Sequence, residues 1–176
     1  MRPRDKGHSA RRGTFLSLAI VSLAVVSACG PQAPVPVEKP SAAPAEAYAP
    51  GLGEIMTFQQ MRHTKLWFAG EAKNWDLAAY EMDELGEGFD DVIKFHPTHE
   101  GSPVAPKDAI PRIIKEPLME LRATIDSKDA KAFEPAYDRL TAACNSCHTS
   151  MNFGFNVVQR PVSNPYPNQI FAPVPK

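Results

Sequence analysis

The sequence predicts an all-α chain folded as an antiparallel four-helix bundle. Apolar residues recur at steps of three and four through most of residues 51–150. No segment alternates with period two between turn-bounded β-branched runs. The connections between helical segments are short, two of them nearly as tight as hairpins, which suits neighbours packed antiparallel.

Residues 1–50 precede the bundle. Arg2, Arg4, Lys6, Arg11 and Arg12 are opposed only by Asp5, and an apolar run covers Thr14 to Ala28. That run is short for a bilayer span and right for a signal-peptide core. It ends Val26-Ser27-Ala28-Cys29, which resembles the bacterial lipoprotein processing site. The resemblance implies a signal peptide over 1–28, a lipid on Cys29, and export to the periplasm with attachment to a membrane. Gly30 favours the outer membrane. Residues 29–50 are rich in proline and alanine and read as an extended tether, reaching roughly 60 Å at polyproline II pitch. Without residues 1–28 the chain has 19 − 5 = 14 Lys+Arg and 20 − 1 = 19 Asp+Glu, a net charge of −5. That balance argues against nucleic acid as a partner and is compatible with a basic protein surface.

The first helix is expected over Gly53–Ala69. Ile55, Phe58, Arg62 and Leu66 lie on one stripe, Met56, Gln60, His63 and Trp67 on its neighbour, and Gly70 ends it. Asn74 is the expected N-cap of the second helix, Trp75–Phe95. Ala78, Met82, Leu85, Phe89 and Ile93 form its apolar stripe, and Asp76, Glu81, Asp83, Glu84, Glu87, Asp90 and Asp91 an acidic face. A loop broken by Pro97, Gly101, Pro103 and Pro106 leads to a third helix, which starts between Lys107 and Pro111 and ends at Ile125. Pro117 inside it should kink it or mark a later start. The fourth helix runs over Ala130–Ser150, with Phe133, Tyr137, Leu140, Cys144 and Cys147 on one stripe. The domain is thus 51–158, and the proline-rich tail 159–176 lies along its surface.

The fourth helix carries the chemistry. Residues 141–150 read TAACNSCHTS, so Cys144, Cys147 and His148 stand at i, i+3 and i+4 on the apolar face. A structural zinc site needs four ligands, and no second C-x-x-C or histidine pair is present. A thioredoxin-like dithiol follows a strand, and none is predicted. A disulfide between i and i+3 of a helix is strained. C-x-x-C-H is instead the attachment signature of c-type haem: two sulfurs one turn apart meet two vinyl groups, and the adjacent imidazole reaches the iron.

A helical bundle with its one C-N-S-C-H motif near the end of the fourth helix resembles the cytochrome c′ group of class II c-type cytochromes, over about residues 53–150. The resemblance implies one covalent haem c on Cys144 and Cys147, His148 as proximal iron ligand, and a first helix crossing the opposite haem face. Arg62 matches the group's basic residue near the haem edge and is a candidate partner for a propionate. Leu66, one turn later, cannot ligate, which favours an open iron. Met56 and His63 share a face of the same helix and are candidate sixth ligands, with Met61, His96 and His99 weaker ones. A Met56–His148 pair would give a high potential, a His63–His148 pair a lower one.

Two functions stay open. One is a membrane-tethered periplasmic carrier of single electrons between redox partner proteins. The other is a five-coordinate, non-enzymatic haem protein that takes up nitric oxide or carbon monoxide. A peroxidase-like enzyme would have only His63 and Arg62 as distal groups. The group also admits a homodimer. Its members usually stop soon after the motif, whereas this chain continues 28 residues beyond His148. That extension is expected to cover a haem edge or meet a partner, and Met151 to pack.

Overall fold

All regular structure among the described residues is helical. The computed structural model describes residues 48–175; the expected signal peptide, Cys29 and nearly all of the tether lie outside them. Five helices follow one another: α1 Leu52–Glu71, α2 Trp75–Phe95, α3 Pro106–Ile113, α4 Lys115–Asp126 and α5 Ala130–Ser150. None is long and apolar enough to cross a membrane.

The expected third helix is two helices. The ladder breaks at Ile114, and Pro117 falls in the first turn of α4, where a missing N–H costs nothing. Ile114 is buried at the joint, so the break points an apolar residue inward.

Gly70 does not end α1. The helix continues to Glu71, and Gly70 is buried where a Cβ would overlap the ring of Phe133. Lys73 makes the turn instead, in the left-handed region at φ 58°. Its N–H bonds the carbonyl of Gly70 at 2.9 Å, and that of Asn74 bonds the carbonyl of Ala69 at 2.9 Å. This is a Schellman closure. Asn74 then caps α2 by accepting from the Leu77 N–H at 3.3 Å. The same device joins α4 to α5: Lys128 lies at φ 56°, and Asp129 accepts from Lys131 and Ala132. One residue reverses the helix end and the next starts a new helix.

The stripes pack largely as their spacing predicts. Leu66, Leu121, Tyr137 and Leu140 are fully buried. α1 is turned somewhat from expectation, with Gln59 and His63 buried and Phe58 about half exposed at 46%. Part of the acidic face of α2 is spent within the fold. Glu84 pairs with Arg62, Asp83 with Arg122, and the buried Glu81 with Lys65 at 3.9 Å.

The C-terminal residues lie on the bundle and are anchored to it. Arg160 pairs with Glu134 and Asp138 and sits 4.6 Å over the ring of Trp67. Phe171 is buried and packs its ring against Phe68 at 5.5 Å.

Candidate functional site

A cavity of about 260 Å³ opens between α1, α2, α3, α5 and the segment after α5. Cys144, Cys147 and His148 line it from α5, and Met56 and His63 from α1. Leu85, Phe89 and Ile110 are among its apolar walls. The helical spacing of the motif puts both thiols and the imidazole on one wall.

Burial sets the state of the thiols. It pushes the Cys144 thiol up to about 12, with the neighbouring Cys147 adding to the shift. Cys147 is raised by burial as well. Both are therefore protonated at neutral pH. The Cys147 Sγ lies 3.7 Å from the Sδ of Met151, which is buried.

His148 is held by the segment that follows α5. Asn152 sits at φ 66° and turns the chain back, and the Phe153 N–H bonds the carbonyl of His148 at 2.7 Å. Nδ1 of His148 donates to the carbonyl of Asn156 at 2.7 Å. That bond fixes the tautomer: Nδ1 carries the proton and Nε2 the free lone pair. Asn145, between the two cysteines, pairs with the backbone of Val158 through both amide atoms, each at 2.8 Å. Residues 152–158 form a strap over this side of the cavity.

The α1 side separates the candidates. His63 is buried, and both ring nitrogens are engaged: Nε2 with Thr141 Oγ1 at 2.9 Å, Nδ1 with the Tyr137 hydroxyl at 2.8 Å. Burial holds its pKa down to about 4, so the ring is neutral. Neutral imidazole has one N–H, so at least one of the two hydroxyls turns its proton to the ring. Met56 is half-buried with its thioether uncommitted among the described residues.

Arg62 and Met61 do not line the cavity. The Arg62 guanidinium bonds the carboxylate of Glu84 and its carbonyl, each at 2.8 Å, and Gln59 Oε1 at 3.3 Å. It is thus held by groups of α1 and α2. His96 bonds the carbonyl of Pro50 at 2.8 Å, tying the loop to the end of the tether. His99 lines the cavity and packs on Phe153 at 5.4 Å.

The residues present fit a flat apolar group held through two sulfurs. At about 260 Å³ the cavity falls just below the ~300–1,000 Å³ range of small-molecule pockets. Among the described residues no group of three or more His, Cys, Asp or Glu side chains is placed to hold a bare metal ion. A porphyrin needs no such group, since its own four nitrogens hold the iron and the protein adds only axial ligands. Sequence reasoning missed Gln59, Asn145, Asn156 and Val158. Asn145 stood inside the motif, but the Asn156 carbonyl is a backbone group with no signature of its own.

The chain was compared with protein-family models, with curated proteins and with solved structures, and none of the three comparisons gave a match.

Proposed function

We propose that the chain is a single-haem c-type cytochrome of the class II kind, an antiparallel bundle that carries electrons in the periplasm from a lipid anchor on Cys29. One observation carries the reading. Cys144, Cys147 and His148 converge on one apolar cavity, and a backbone carbonyl on Nδ1 leaves Nε2 of His148 as the coordinating nitrogen. A haem bound there supplies a one-electron iron couple. The protein residues do the rest. Cys144 and Cys147 would hold the group in place as thioethers. His148 supplies the proximal nitrogen, and the strap orients it. Leu85, Phe89 and Ile110, which line the cavity, would shield the group from water.

Met56 is the favoured sixth ligand in this reading. His63 would have to break its bond to Thr141 or to Tyr137 to ligate, at a net cost of ~0.5–1.5 kcal/mol, each hydroxyl keeping a backbone carbonyl as partner. Met56 gives up nothing comparable. The second reading, an open iron that binds nitric oxide or carbon monoxide, holds if Met56 stays in the wall. Absorption spectra of the oxidised and reduced protein, with and without carbon monoxide, separate them. A low-spin spectrum indifferent to carbon monoxide supports the carrier. A high-spin spectrum that shifts puts gas binding first. Lack of covalent haem in protein made with an intact maturation system removes both.

A further inference from the structure

We infer that Asn145 is a positioning residue for His148, acting through the strap. The inference rests on the haem reading above and deepens it. The planar amide of Asn145 grips one residue at two points: Nδ2 donates to the Val158 carbonyl and Oδ1 accepts from the Val158 N–H, both at 2.8 Å. Two parallel bonds to one residue fix its place and its orientation. Two residues earlier in the strap, the carbonyl of Asn156 accepts from Nδ1 of His148. At the other end the Phe153 N–H is bonded to the His148 carbonyl, and a bond from the Asn156 N–H to the Phe153 carbonyl at 2.8 Å closes a turn between them.

The strap is therefore pinned at both ends to the last turns of α5, and the acceptor for the imidazole lies between the pins. Its intervening residues have little else to hold them, since Phe155 is 82% exposed and Val157 70% exposed. Without the amide, the pin nearest the imidazole's acceptor is lost, the next anchor on α5 being Arg160 on Glu134 and Asp138, and the Asn156 carbonyl gains freedom to leave Nδ1.

The consequence falls on the ring. An acceptor on Nδ1–H fixes the plane of a coordinating imidazole and makes Nε2 more basic, and loss of such outer partners measurably alters the bound metal. A more basic Nε2 favours the oxidised iron. Asn145 in place thus lowers the reduction potential, and its removal raises it.

The test uses the mature haem-loaded protein with Asn145→Leu and Asn145→Ser, the second retained in case the larger apolar side chain impairs folding. Asn164→Leu, a tail asparagine whose side chain bonds nearby Tyr166, is the control. Three quantities are read: amide hydrogen exchange over residues 153–158, the midpoint potential, and, in a Met56→Leu background that opens the iron, the iron–histidine stretching frequency of the reduced, photolysed carbon monoxide adduct. Both Asn145 variants are expected to show exchange at Val158 at least tenfold faster, a higher potential and a lower stretching frequency, with the control unchanged. Faster exchange with an unmoved potential and frequency would overturn the inference, because Asn145 would then only fasten the tail. Unchanged exchange overturns it too. If the unsubstituted protein carries no covalent haem, the reading beneath it fails first and takes the inference with it.

Discussion

His63 is a histidine spent on the fold. The unfolded chain binds its proton near the ordinary 6.5, the folded chain only near about 4. Between those values the unfolded state holds more protons, so stability rises with pH across that window and is lost on acidification through it, by ~3 kcal/mol in all. His63→Gln should flatten this acid limb in urea titrations run from pH 4 to 7. Tyr137→Phe removes the partner of the His63 carbonyl and of Nδ1 and should cost ~1–3 kcal/mol by the same assay. Met56→Leu conserves volume and should cost under ~1.5 kcal/mol, yet it removes the thioether. The expected outcome is retained covalent haem and a reduced spectrum that now responds to carbon monoxide; no response would exclude Met56 as the ligand. At this scale the sequence was legible where chemistry is local. C-x-x-C-H needs only helical spacing to bring its three groups to one wall. Spacing could not tell which side chains would occupy one another, such as Arg62 and Glu84.

The elements were legible to within a residue or two at most ends. Their apolar stripes are regular, and Asn74 and Asp129 are strong caps. Two signals were ambiguous for physical reasons. A proline inside an apolar pattern is equally compatible with one kinked helix and with two helices, and packing of Ile114 into the core selects two. A glycine near a helix end reads as a stop, but Gly70 serves close approach to Phe133, while lysines make the left-handed turns. That choice has a cost of ~1–2 kcal/mol for a side chain in this region. Lys73→Gly and Lys128→Gly should each raise stability in chemical denaturation, by up to about 1 kcal/mol once the extra entropy of an unfolded glycine is subtracted. Gly70→Ala should lower it by ~1–3 kcal/mol, since the Phe133 ring must move in a packed core.

For the whole molecule, the charge balance and the closed ion pairs of α2 bear on partner choice. Asp83, Glu84 and Glu81 are committed to Arg122, Arg62 and Lys65, but Glu87 and Asp90 remain exposed and the chain without residues 1–28 stays net acidic. Reduction by a small basic redox protein in stopped flow should slow steadily as ionic strength rises past 0.1 M, where the screening length is ~10 Å; a flat profile would point to a neutral docking face. The all-helical fold could be anticipated because it follows from periodicity. The strap could not, because it is built from backbone groups and one turn at Asn152.

That strap also has a place in time. It lies C-terminal to the motif, so it leaves the ribosome after both cysteines and His148. The thiols are made and displayed while the carbonyl that will steer the imidazole does not yet exist. If the chain takes up haem as proposed, capture by the sulfurs would not need the strap, whereas alignment of the nitrogen would. On the haem reading, a chain stopped just before Asn156 should still capture its haem through two thioethers, and would lose both the acceptor on Nδ1 and the anchors at Arg160 and Phe171.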